Sequence, residues 1–229
     1  MNNFAVIGLG QFGEAIAKTL SARGAGVLAI DIDYDKIEAI KEEVAHAVQL
    51  DATDRRGLVA QNISELDAVV VAIGDNFECM LLTIVVLQEL GVKRIMGRAA
   101  NDHQRIILQK MGITEIISPE ATIGQSVAEQ LLQPNIYSYL PLPDDYEIVE
   151  IKTPAKVANM VLKEVGLRDK YDLNLITIKR SYQKVRDGHS VQEEHIIGVP
   201  KASTVLYATD ILIVMGKKQD VDRFITLNS

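Results

Sequence analysis

Two hydrophobic periods alternate through the first half of the chain. Residues 4–9 (FAVIGL) form a short apolar run that stops at glycine, after which Phe12, Ala15, Ile16 and Leu20 recur at helical spacing. The alternation then repeats. A strand at 26–31 (GVLAID) precedes a helix marked by Ile37, Ile40 and Val44, and a strand at 46–50 (HAVQL) precedes a short helix at 55–61. A β-branched strand at 67–73 (DAVVVAI) leads to a helix at 76–90, and a strand at 94–98 (RIMGR) to a helix near 102–111 and a short strand at 114–118. Short apolar strands separated by helices predict a parallel sheet covered on both faces, a doubly wound α/β domain. The units are too few for an eightfold barrel.

Ser118-Pro119-Glu120 has the composition of a helix start, with serine as cap, proline in the first position and an acid in the first turn. That helix is expected to run to about Leu132, where Pro134 and Asn135 stop it. The stretch 140–145 (LPLPDD) reads as the domain boundary. From Tyr146 the pattern changes: 146–151 (YEIVEI) alternates, a short helix fits 157–165, strands fit 174–180 and 210–216, and a terminal helix fits 221–227. The expected organisation is a Rossmann-like lobe over 1–120, a crossover helix and linker over 121–142, and a small α+β lobe over 143–229.

The helix at 76–90 is apolar nearly all round, through Phe77, Met80, Leu81, Leu82, Ile84, Val85, Val86 and Leu87. Such a helix needs cover on more than one side, either deep in its own domain or against another subunit.

The 229 residues, 48% hydrophobic and 24% charged, suit a soluble globular protein. A net charge of −7 leaves no basic surplus for phosphate neutralisation, so nucleic acid is not an expected partner. The most apolar stretch, 80–87, is too short to span a bilayer, and residues 2–9 read as a strand rather than a leader. A cytoplasmic protein is expected, reaching a membrane only through a partner. The single cysteine, Cys79, sits in an apolar run and reads as a buried free thiol.

Gly8-Leu9-Gly10-Gln11-Phe12-Gly13 fits GxGxxG, a weak pattern by itself. Here it follows a predicted strand and opens a predicted helix, and Asp31 closes the second strand. Gly8 permits the tight turn, Gly10 the approach of backbone to phosphate, and Gly13 close helix–strand packing. Amides at the helix start then hold phosphate, while the Asp31 carboxylate accepts from ribose hydroxyls and repels a 2′-phosphate. Asp51 ends the third strand, where it reads equally as an adenine-side contact or a turn aspartate within DATD. Arg98 ends the fifth, as a phosphate contact or an exposed salt-bridge arginine. Glu120 either ligates a divalent cation or complements the helix dipole, and its position alone favours the dipole.

These segments together resemble the regulatory subunits of Trk/Ktr potassium-uptake systems, built from an RCK domain (regulator of potassium conductance). FAVIGLGQFG, VLAIDID, HAVQLDATD and VVVAIGDN are similar to successive segments of that family's nucleotide-binding lobe, and the part beginning YEIVEI resembles its carboxy-terminal lobe. The resemblance implies a cytosolic ring of eight nucleotide-binding lobes, self-associated through dimers and attached to a membrane-embedded potassium-conducting subunit. The nucleotide, ATP/ADP or NAD(H), would bias the pore through the ring's shape, and the helix near 120–132 would cross to a neighbouring subunit.

By position it implies nucleotide contacts from the glycine loop (Gly8, Gly10, Gln11, Phe12, Gly13), from Asp31 and Asp33 of IDID, from Asp51 and Ala52 of DATD, and from Arg98. Glu120 aligns with an acid that, in ATP-sensing members, helps hold Mg2+ or another divalent cation between subunits. Those members carry an arginine where this chain has Gln11, which donates hydrogen bonds but brings no charge to a γ-phosphate. Arg168 with Asn174, Leu175 and Ile176 is part of a pattern seen where related lobes bind cyclic di-AMP, but Gly166 stands where that pattern has aspartate.

Two other classes are weighed. An NAD(H)-dependent oxidoreductase needs a proton donor beside the nicotinamide, and His189 and His195 lie in a polar loop or hairpin segment. A redox-sensing transcriptional regulator needs a basic recognition helix, which the charge opposes.

Overall fold

The computed structural model describes residues 2–132, 134–186 and 189–229. Contacts divide the chain into two compact units, Met1–Thr122 and Ile123–Ser229. In the first, β1 (Asn3–Ile7), β2 (Gly26–Asp31), β3 (His46–Gln49), β4 (Ala68–Val71), β5 (Ile95–Arg98) and β6 (Glu115–Ile117) form one parallel sheet in the order β3-β2-β1-β4-β5-β6. The two middle strands are the most apolar, and Ala5, Val6, Ile7, Val69 and Val71 are buried because helices cover both faces. On one face Ala17 of α1 (Gln11–Ala22) packs with Ile37 and Ile40 of α2 (Tyr34–Ile40). The short α3 (Arg55–Ala60) contributes Leu58 to the other face. There it joins Met80, Ile84 and Leu87 of α4 (Phe77–Glu89) and Leu108 of α5 (Asp102–Lys110). Strand order reverses between β1 and β4, which opens a crevice at their carboxyl ends.

The cover of α4 comes from one side only. Met80, Thr83, Ile84 and Leu87 are buried, whereas Leu82 and Val85 remain 49% and 40% exposed. The helix therefore does not lie deep in its own unit. α6 (Pro119–Leu132) begins at the expected proline and likewise leaves Ile123, Val127 and Leu131, one face at helical spacing, exposed.

The second unit is an antiparallel sheet in the order β10-β9-β11-β8-β7. Its strands are β7 (Ile136–Pro141), β8 (Tyr146–Lys152), β9 (Asn174–Arg186), β10 (His189–Ile196) and β11 (Ile211–Lys217). Inward residues of β8 and β11 alternate as expected, and Val149, Ile151, Leu212 and Val214 are fully buried. The terminal α9 (Lys218–Asn228) seats Val221 and Phe224 on them, and Phe224 meets Tyr171 edge-on at 5.0 Å between ring centroids.

Three details differ from the sequence expectation. Residues 140 and 141, read as linker, belong to β7, an edge strand, where proline is tolerated because one side needs no ladder partner. The helix expected over 157–165 shrinks to α7 (Leu162–Val165). Asn159 takes a left-handed φ of 65°, and the backbone there bonds to 202–206 instead, through Asn159 N to Leu206 O and Leu162 N to Thr204 O. A further helix, α8 (Leu167–Tyr171), follows Gly166, whose φ of +67° ends α7 and starts α8. That backbone favours glycine, a physical reason for its presence where the cyclic di-AMP pattern has aspartate.

Phe224 is fully buried, so Phe224→Ala is expected to cost about 3–5 kcal/mol, as for other large-to-small core truncations. Urea denaturation checks this. A loss below ~1 kcal/mol would mean that α9 does not hold the second core together.

Candidate nucleotide-binding site

The crevice predicted from the strand order holds a cleft of about 270 Å³. Its walls are the ends of β1, β2, β4 and β5 and the loops that follow them, with the loop after β3. They include Gly8 and Gly10, Asp31, Lys36, Asp51 and Ala52, and Arg98.

The glycine loop has the shape that the motif requires. Gly8 has φ +92°, a conformation that side chains rarely adopt, and its amide donates to Ile30 O at 2.8 Å. A Cβ on Gly13 would overlap the Gly8 carbonyl oxygen, so α1 approaches the loop too closely for any other residue. At Gly10 the opposite holds. A Cβ there would meet nothing within 4 Å, and no side chain caps the first turn of α1. The helix start thus faces open space, as an anion site needs.

Asp31 is 6% exposed. Its Oδ2 accepts from the Leu9 amide at 2.6 Å, its Oδ1 from the Asp33 amide at 2.9 Å, and Lys36 Nζ lies 3.4 Å from Oδ2. Asp51 also borders the cleft, but its Oδ1 accepts from the amide and hydroxyl of Thr53 at 2.9 and 2.7 Å, a turn within DATD. Both of its sequence readings are therefore compatible with its place. Asp33, Gln11, Phe12 and Gly13 are not among the lining residues. Asp33 caps α2 by accepting from Asp35 N at 3.0 Å, and Gln11 is exposed at the start of α1.

Arg98 links the loop to the next helix. Its guanidinium carbon lies 5.7 Å from the Phe12 ring centroid, and its Nη2 donates to Glu120 Oε1 in the first turn of α6. Its Nε is buried with no hydrogen-bond partner. Glu120 is held below the ordinary carboxylate range, first by its own backbone amide and then by Arg98. Glu120 thus pairs with a cation, and among the described residues no group of three or more His, Cys, Asp or Glu could hold a metal. The described donors of one chain do not by themselves fit a divalent ion.

Sequence reasoning missed Lys36, Gly74 and the position of Cys79. Gly74 packs against Arg98, where a Cβ would come within 2.5 Å of Nη1, and its signal was the VAIGDN segment. Lys36 lies in the first turn of α2, where its sequence signal is that of any solvated helix lysine. Cys79 is half-buried and borders the cleft, rather than lying in the core. Burial first and the Asp51 charge second push its thiol up, so it is poorly suited to nucleophilic chemistry.

In the second unit, Arg168 Nε and Nη2 both donate to Asn174 Oδ1, at 3.1 and 2.6 Å. His195 lies on β10, 3.6 Å from Glu193 and edge-on to Tyr182; the side chain of His189 lies outside the described residues. Among the described residues no helix is long and apolar enough to cross a membrane.

Comparison with known proteins identifies the family of the chain. A TrkA-N domain matches residues 4–119 and a TrkA-C domain residues 146–228. Ktr system potassium uptake protein C of Bacillus subtilis (strain 168) is 37% identical over 96% of this chain and 95% of its own. Ktr system potassium uptake protein A of the same organism is 34% identical over 96% of this chain and 94% of its own. Among solved structures, the GsuK channel bound to NAD covers 99% of this chain with 39% of its own length, at a TM-score of 0.64 and 14% identity, a likeness of fold. The chain belongs to the TrkA-N/TrkA-C family that includes the Ktr potassium uptake proteins.

Proposed function

We propose that this protein is a cytosolic regulatory subunit: it senses an adenine nucleotide in the first-unit cleft and biases a membrane-embedded potassium-conducting partner. One observation carries the reading. Arg98 borders the cleft and at the same time holds Glu120 in the first turn of α6. A phosphate entering the cleft competes with Glu120 for that guanidinium, so occupancy changes the start of the helix that leads into the second unit. Two relatives more than 30% identical over nearly the whole chain are Ktr system potassium uptake proteins, which supports the partner class.

The ligand is an adenine nucleotide, ATP/ADP or NAD(H). The cleft's cations are Lys36 and Arg98, and Gln11 adds no charge, so this reading does not depend on a γ-phosphate. A divalent cation enters it only with donors from phosphate oxygens or a second copy. The exposed apolar residues of α4 and of α6 suit self-association into dimers and a ring. Arg168, exposed, and the half-buried Asn174 bonded to it suit a second anionic ligand such as cyclic di-AMP. An oxidoreductase is disfavoured because the cleft's ionisable groups, among the described residues, are aspartates, Lys36, Cys79 and Arg98, with no histidine or tyrosine to supply the proton.

Calorimetric titration with ATP, ADP, NADH and NAD, with and without magnesium, tests the sensing role. At least one is expected to bind below ~1 mM, and Asp31→Asn to weaken it by about tenfold or more, roughly 1.4 kcal/mol. No binding to folded protein at millimolar concentration would remove the reading.

The coupling has its own test. A carboxyl whose folded pKa is depressed lends stability above its unfolded value, lost as pH falls through the folded value. The Arg98–Glu120 pair is therefore intact at neutral pH and opens only in acid, below the ordinary glutamate value. Carbon-13 NMR of the Glu120 carboxyl is expected to show that low midpoint. Arg98→Met should raise it part of the way, since the backbone amide is the larger cause, and saturating nucleotide should move it in the same direction. A midpoint indifferent to nucleotide would show that Arg98 does not connect the cleft to α6.

A further inference from the structure

We infer that Lys36 is a specificity-determining residue that neutralises the Asp31 subsite, so that the protein accepts adenosine with a 2′-phosphate as well as adenosine with a free 2′-hydroxyl. The inference rests on the nucleotide-binding reading of the cleft and deepens it.

An acid at the end of the second strand, taken alone, selects the ribose diol and repels a 2′-phosphate, whereas a nearby basic residue accommodates that phosphate. Here both line one cleft, with Lys36 Nζ 3.4 Å from Asp31 Oδ2. The Asp31 charge is also met by two backbone donors, the amides of Leu9 at 2.6 Å and Asp33 at 2.9 Å. A carboxylate offers about four lone-pair positions, so one remains for a ribose hydroxyl after these three contacts. The free diol is therefore still recognised.

The lysine is free to serve a second anion. Its side chain is 40% exposed and its contact with Asp31 is long, so the ammonium can turn on its flexible stem without leaving the carboxylate's field. The neighbouring acids have donors of their own. Asp33 accepts from Asp35 N, and Asp51 from the amide and hydroxyl of Thr53. At the ribose end the formal charges of Asp31 and Lys36 cancel, and the repulsion expected from the motif alone is removed.

The test uses ligand pairs that differ only by the 2′-phosphate: NADH with NADPH, and AMP with adenosine 2′,5′-bisphosphate, titrated calorimetrically into the full chain. In the wild type the phosphorylated member is expected to bind within about tenfold of its partner. Lys36→Met should weaken that member by a further tenfold or so while changing the other by less than about threefold, and Lys36→Arg should keep the wild-type ratio. The inference is overturned if the wild type binds NADH or AMP but rejects the phosphorylated partner. It is equally overturned if Lys36→Met leaves the ratio unchanged, and either result leaves the nucleotide-binding reading standing. If neither these ligands nor ATP bind, that reading fails and this inference with it.

Discussion

A carboxylate buried at the end of a strand is costly unless donors surround it, and in this fold the donors to Asp31 are the structure of the site itself. Its Oδ2 takes the Leu9 amide from the middle of the glycine loop, and its Oδ1 takes the Asp33 amide from the turn into α2. One side chain thus fixes the loop after β1 to the loop after β2. Gly8 donating to Ile30 O places a second tie beside it. The shape of the loop is held by the chain itself: α1 cannot move toward it past Gly13, and Asp31 holds the Leu9 amide. Binding to such a loop need not spend free energy on ordering it.

The same acid explains which parts of the site were legible in the sequence. Local backbone demands leave local signatures. Gly8 with φ +92°, Gly13 against a carbonyl and the apolar strands buried on both faces all appear as residue types at fixed spacing. Contacts between segments leave none. Lys36 is five residues from Asp31 and looks like any solvated helix lysine until α2 folds back over the strand end. Gly74 is needed only because Arg98, contributed by another strand, lies against it. In the second unit the failures have a different origin. Residues 157–165 have helical composition, yet the amides of Asn159, Leu162 and Lys163 bond to 202–206, a tertiary pairing that overrides local propensity. The end of β7 was hidden because the two prolines of 140–145 read as a linker, although an edge strand tolerates Pro141.

What the geometry offers a regulator is a shared cation rather than a rigid connection. Arg98 touches Phe12 of the glycine loop, packs on Gly74 and pairs with Glu120, with its Nε buried and unpartnered. A buried donor without a partner costs free energy, so this arrangement is not the best available to the guanidinium. Phosphate oxygens at the cleft offer a second set of acceptors. The two arrangements differ in what holds the first turn of α6, and a ligand shifts the balance only by its differential affinity for them.

That condition separates binding from sensing within one site. Contacts made equally in both states, such as a ribose hydroxyl on the fixed Asp31 carboxylate, raise affinity and shift nothing. Only groups whose partners change on binding convert occupancy into conformational bias, and under the proposed function the candidates are the two cations of the cleft, Arg98 and Lys36. Both begin the cycle paired with an acid, Glu120 and Asp31 respectively, and both line the space a nucleotide would fill. The Asp31 side is pinned by backbone amides and stays where it is when Lys36 turns. The Glu120 side belongs to an exposed helix start and is the one that can move. Under the proposed function, this asymmetry gives the two ends of the cleft different work: discrimination at the ribose, and transmission at the phosphates.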